Sequence, residues 1–137
     1  MMTPQQIALV KKTWRIYSKI DPLLVGDVFY KKLFSEHPAL RRLFKTSMAA
    51  QSNKLVDMLT TIVTRLDNKE TLFDDLRHLA LRHVQYGTKP EHYRYVGEAL
   101  MWTLQQGLGA DWTPEVQEAW EVCYKEIAEQ MLAATVK

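Results

Sequence analysis

Apolar residues recur along this chain every three to four positions, which is the period of helices with one buried face. The first stripe is Ile7, Val10, Trp14 and Tyr17. Thr3-Pro4-Gln5-Gln6 precedes it and supplies an N-cap, a proline at the first helical position and a glutamine placed for a capping box. Asp21-Pro22 repeats the start signal, and a second helix is predicted to run to about Glu36. Its inner positions include Leu23, Val25, Val28, Phe29, Tyr30, Leu33 and Phe34. His37-Pro38 ends that helix and opens a short third one, ALRRLF, which closes on Leu43 and Phe44. After a polar link, Gln51, Leu55, Met58, Leu59, Ile62, Val63 and Leu66 mark a long amphipathic helix, and Asp67-Asn68-Lys69 turns into the next. Two long helices end the pattern. Tyr93, Val96, Gly97, Leu100, Met101, Leu104 and Leu108 form the inner face of one, broken by Gly107-Leu108-Gly109-Ala110-Asp111. Thr113-Pro114 caps the other, with Val116, Trp120, Cys123, Ile127, Gln130 or Met131, and Ala134 inward. No stretch alternates like a strand and no Asn-Gly or Asp-Gly hairpin occurs, so an all-α fold is predicted.

The stretch Leu72 to Gly97 organises the rest. Leu72, Leu76, Leu79, Ala80 and His83 share one apolar face, while Asp74, Asp75, Arg77, His78 and Arg82 crowd the wet one. His78 precedes His83 by five residues, so the two rings point roughly 140° apart at about 3.6 residues per turn. One histidine therefore faces inward and the other outward. From spacing alone, His83 is either a satisfied core residue or a ligand. Gly87-Thr88-Lys89-Pro90 stops this helix and starts another, and an inward histidine beside such a break suits a single axial ligand for a buried flat cofactor.

Composition narrows the chemistry. The 137 residues, 47% of them hydrophobic and 25% charged, suit one globular domain spanning 1–137. A net charge of +2 gives no general electrostatic case for nucleic acid, and the basic pairs Lys11-Lys12, Lys31-Lys32 and Arg41-Arg42 are dispersed. No apolar run approaches membrane-spanning length, and the start, MMTPQQ, is unlike a signal peptide. One cysteine, Cys123, excludes an internal disulfide and fits a reducing compartment, so a cytoplasmic location is expected. It shares a face with Trp120 and Ile127, as a buried and inert thiol would. There is no phosphate loop, no zinc-type Cys/His spacing and no HExxH.

Four blocks in sequence order carry a resemblance: FYKKLFSEHPALRRLF, Gln51 opening an apolar helix, LALRHVQYGTKPEHYRYVGEAL, and AWEVCY. Together they are similar to the bacterial single-domain globins and to the haem domain of flavohaemoglobins, along the whole chain. The resemblance implies a globin fold of about six to eight helices packed around a buried haem b. It implies that His83 is the proximal iron ligand and that Phe44 packs flat on the porphyrin. Tyr30 matches a distal tyrosine and Gln51 a distal glutamine, which serve as ligand-binding and catalytic groups in such proteins, with Leu55 an apolar wall over the iron. Tyr93 matches a proximal tyrosine near the imidazole. The glutamate that accompanies it in the family falls at Thr135, which carries no charge, so His83 is expected to donate its ring N–H to the Leu79 carbonyl instead. The link from Lys45 to Ala50 is also shorter than in flavohaemoglobins.

The implied function is binding of dioxygen at ferrous iron, linked to nitric oxide detoxification by dioxygenation to nitrate. No flavin or nicotinamide domain is read in the chain, so a separate flavin reductase is the expected electron donor. An oxygen carrier, or a haem-based redox or gas sensor without turnover, is the alternative. A helical interaction module without cofactor is the third reading.

Overall fold

Most of the helices begin where a side chain accepts an otherwise unpaired amide hydrogen. The structure, a computed structural model, describes residues 2–135. Thr3 and Gln6 form the capping box, with bonds of 2.9 and 3.1 Å, and α1 runs Pro4–Tyr17. The Asp21 carboxylate accepts from the Leu23 amide at 2.9 Å and starts α2, Pro22–Glu36. The predicted short third helix is a 3-10 segment, Pro38–Leu43. Helix α3, Met48–Thr64, starts three residues before Gln51, because the Ser47 hydroxyl accepts from the Ala50 amide at 3.1 Å. Asn68 caps α4, Lys69–Gln85; α5 spans Pro90–Leu108; a 3-10 turn covers Gly109–Asp111. Helix α6, Pro114–Thr135, completes the order. The described residues contain no strand. The all-α architecture expected from the sequence is thus what the chain adopts.

The helices stack through small residues and through hydroxyls that serve buried aromatics. Helix α2 packs on α3 and α5, α1 on α6, and α4 on α6. At the α2–α3 crossing a Cβ on Gly26 would lie 1.7 Å from the Ser52 Oγ, so only glycine lets the backbones approach. The indole of Trp120 donates to the Thr13 hydroxyl at 2.9 Å, and that of Trp14 to Thr60 at 3.1 Å. The Tyr17 hydroxyl donates to the Thr103 carbonyl at 3.0 Å. These bonds remove the cost of burying polar groups, about 1–3 kcal/mol each when unpaired. Leu33, Leu76 and Leu104 are almost fully enclosed, and truncation of such a side chain to alanine costs about 2–5 kcal/mol. Of the predicted inner positions of α2, Leu23 is instead 47% exposed. It stands with Leu24 in the first turn, while Val25, Gly26 and Phe29 carry the buried side.

Candidate functional site

Helix α4 delivers His83 to the interior from its last turn. Leu72, Leu76 and Ala80 are buried below it, and Leu79 is half-buried. The helix ends because Gly87 adopts φ +88°, a conformation that costs glycine nothing, and the Thr88 amide then donates back to the His83 carbonyl at 3.0 Å. The His83 Nδ1 lies 2.8 Å from the Leu79 carbonyl. Bonding to a carbonyl places the hydrogen on Nδ1 and leaves the Nε2 lone pair free. Burial lowers the His83 pKa; the Leu79 carbonyl opposes this and the Arg82 charge adds to it. Neutral imidazole, the form that ligates metal, is thereby favoured at neutral pH.

His83 lines an apolar cavity, part of it open to solvent. Phe29 of α2, Leu55 and Leu59 of α3, and Leu79 of α4 supply one set of walls. Tyr93 and Leu100 of α5, with Trp120, Cys123 and Tyr124 of α6, supply the rest. Cofactor sites are mostly apolar with few polar groups. A cavity with apolar walls, and with the His83 imidazole held by a carbonyl on its other nitrogen, fits a flat apolar macrocycle held by a single axial ligand. Burial pushes the Cys123 thiol up to about 12, with Glu126 adding to the shift, so it is an apolar wall group rather than a thiolate.

The structure brings together three of the expected site residues on this cavity, Leu55, His83 and Tyr93. The remaining three gather beside it. The Tyr30 ring stacks on Phe34 at 5.7 Å and meets Phe44 edge-on at 5.2 Å and Phe29 at 4.9 Å. Phe29 is shared between this aromatic cluster and the cavity wall. The Tyr30 hydroxyl donates to the Gln51 carbonyl at 3.4 Å, and burial raises its pKa to about 12. The Gln51 amide donates to the Thr46 hydroxyl at 2.5 Å. Phe44 is half-buried against Tyr30 and Phe34.

On the α5–α6 side, the Tyr124 hydroxyl donates to the Tyr93 carbonyl at 2.6 Å. Its ring occupies a notch over Gly97, where a Cβ would come within 2.6 Å. Burial raises the pKa of Tyr93, and of Tyr124 with a further contribution from Tyr93. Thr135 turns back on its own helix, its hydroxyl donating to the Leu132 carbonyl at 2.9 Å. Of the other histidines, His37 stacks on Tyr95 at 3.7 Å and His78 is exposed near Asp74. His92 and Thr88 belong to the cavity wall and were not singled out from the sequence. The available signal was position: His92 sits in the first turn of α5, beside Tyr93.

The family model described as Globin matches residues 27–131. The chain is 29% identical to the flavohemoprotein of Vibrio cholerae, across 94% of its own length and 33% of that protein's. It is 30% identical to the flavohemoprotein of Deinococcus radiodurans, across 96% and 33%. It thus spans about a third of the length of these curated relatives. Among solved structures, a bacterial globin from Campylobacter jejuni superposes with TM-score 0.83 at 25% identity, covering 96% of this chain and 95% of that one. An engineered carbene transferase from Rhodothermus marinus, described as a candidate nitric oxide dioxygenase, gives TM-score 0.83 at 26% identity, covering 94% and 89%. No helix among the described residues is long and apolar enough to cross a membrane.

Proposed function

Because this chain belongs to the globin family, we propose that it carries haem b in the cavity beside His83, binds dioxygen at ferrous iron and turns nitric oxide into nitrate. Membership and the flavohemoprotein relatives imply a haem cofactor. The observation that carries the reading is the His83 imidazole, bonded through Nδ1 to the Leu79 carbonyl and set in an apolar wall. Haem b, when bound, would supply reversible dioxygen binding at ferrous iron and the oxidation of nitric oxide to nitrate.

His83 would hold the haem iron through Nε2, and its bond to Leu79 fixes both tautomer and ring orientation. Leu55 would keep water and polar groups from the gas-binding space, and Phe44 would pack against the cofactor. Tyr93 borders the proximal side with no carboxylate at position 135 to charge it. Tyr30 and Gln51 would be the hydrogen-bond donors to a bound gas, and the catalytic residues in that sense. To donate there, the Tyr30 hydroxyl would exchange the Gln51 carbonyl, and the Gln51 amide would exchange Thr46, for the ligand. Re-reduction is the task of a flavin reductase, and the setting is the cytoplasm. Relatives named flavohemoproteins and the Rhodothermus marinus neighbour support the link to nitric oxide and to an electron donor.

Ferric, ferrous and oxygenated absorption spectra test the proposal, followed by nitric oxide consumption with and without an added flavin reductase. A Soret band, a reversible oxygenated spectrum and steady consumption only with the reductase are expected. An oxygenated form that nitric oxide leaves untouched would remove the catalytic half.

A further inference from the structure

The end of α2 meets the middle of α5 in a cluster of a different chemistry. Glu36 closes α2, His37 caps it and Glu98 comes from α5. One side-chain ligand atom from each lies within 4.8 Å of the other two. None of the three lines the cavity beside His83. The imidazole is the fixed member. Its backbone amide donates to the Leu33 carbonyl at 2.9 Å, and Pro38 follows it. Its ring stacks on Tyr95 at 3.7 Å with 18° between the planes. Among the described residues no hydrogen bond reaches either ring nitrogen. Tyr95 and Glu98 lie one turn apart on α5, so the ring that orients His37 and the carboxylate beside it share a face.

The carboxylates have only surface partners. Glu36 pairs with Lys32 at 2.7 Å and Glu98 with Arg94 at 3.8 Å, and exposed pairs of this kind are weak. Each cation also rests on an aromatic face, Lys32 over Trp102 at 4.4 Å and Arg94 over Tyr95 at 5.2 Å. Both therefore keep a favourable place when the carboxylates turn away. We propose that Glu36, His37 and Glu98 form a surface site for one zinc ion, which ties the end of α2 to α5. One imidazole nitrogen with two carboxylate oxygens suits zinc, whereas Mg²⁺ and Ca²⁺ take oxygen ligands. Bonds of ~2.0–2.2 Å put the ligand atoms of a tetrahedral ion ~3.4 Å apart. Rotation of the two glutamate side chains closes the site to that spacing around the fixed ring. The two carboxylates balance the charge of the ion, and water completes its coordination.

The test is calorimetric titration of the chelator-treated protein with Zn²⁺, with bound metal counted after dialysis. One Zn²⁺ per chain is expected. His37→Gln, Glu36→Gln and Glu98→Gln should each weaken binding about tenfold or more, the scale on which groups around a metal centre set its affinity. Lys32→Gln removes the competing partner of Glu36 and should tighten binding about two- to fivefold, the scale of one exposed charge pair. His78→Gln, which alters the other exposed His–Asp pair, should bind as the parent does. Glu98→Gln leaves the His37–Tyr95 stack in place, so an unchanged zinc-free melt in that variant separates lost ligation from lost packing. Parental affinity in all three site variants would overturn the proposal. So would displacement of Zn²⁺ by equimolar Mg²⁺, or binding that disappears with His78.

Discussion

Replacing Tyr30 by phenylalanine removes one oxygen and leaves the ring where Phe29, Phe34 and Phe44 hold it. The hydroxyl's partner in the structure is the Gln51 carbonyl at 3.4 Å, longer than the roughly 2.5–3.0 Å of a good O–H···O bond. Its loss should therefore cost stability no more than the ~0.5–1.5 kcal/mol of an ordinary hydrogen bond. Donation to bound dioxygen, which carries partial negative charge, is worth ~1.5–3 kcal/mol. Removing it raises the dissociation rate about 10- to 150-fold. The two expectations separate on one preparation, with denaturant unfolding for stability and stopped-flow oxygen displacement for release. Gln51→Leu should act in the same direction, and the two changes need not add because both donors serve one ligand. Oxygen release within about twofold of the parent in both variants would refute the distal assignment and leave Tyr30 as a packing residue.

His83→Ala should lose the five-coordinate ferrous spectrum, whereas His37→Ala, His78→Ala and His92→Ala retain it; a normal deoxy spectrum in His83→Ala would sink the cofactor assignment. Thr135→Glu should place a carboxylate near Tyr93, lower the ferric/ferrous potential at ~60 mV per 1.4 kcal/mol and raise peroxidase turnover; an unchanged potential and iron–histidine stretching frequency speak against the relay. Gly97→Ala puts a methyl 2.6 Å from the Tyr124 ring and should destabilise the protein by about 1–3 kcal/mol, read by denaturant melts. Burial lowers the His83 pKa below 6.5, so between the two values the unfolded chain binds more protons. The apoprotein's stability is therefore full above pH 6.5 and falls as pH drops through that window, with His92 adding in the same sense. His83→Gln should flatten the slope, and an identical pH profile would show that His83 is not buried as described.

Local chemistry made the helix ends readable. Thr3, Asp21 and Thr113 cap through side chains one turn or less from the amides they serve, so a few residues of sequence contain the whole interaction. Ser47 caps by the same rule, four residues before the Gln51 from which the apolar stripe starts. The inward angle of His83 and its bond to Leu79 also follow from spacing within one helix. What lay beyond reach depends on partners distant in the chain. Thr13 and Thr60 look like ordinary helical polar residues until Trp120 and Trp14 arrive from other helices. Gly26 reveals its purpose only against Ser52. Leu23 keeps the right period but meets no neighbouring helix, and no periodicity reports that. His92 faces the cavity only because the 87–89 turn orients α5.

Helix α4 packs on α6, and its other broad side borders the cavity. Near its C-terminal end Leu81, Val84 and Tyr86 are at least half exposed. Helix α6 is thus its main support, with the Arg65–Asp75 ion pair a lesser tie, and α4 should behave as a separately melting unit that opens well below the global unfolding free energy. Amide exchange in the apoprotein should be fastest across residues 77–87 and slowest in α2 and α5. A ligand that spans the cavity gives α4 a further support, adding RT ln(1 + [L]/Kd), about 4.1 kcal/mol at a thousandfold excess over Kd. Proteases that cut opened segments would accordingly shorten the chain's lifetime whenever cofactor supply fell short of synthesis.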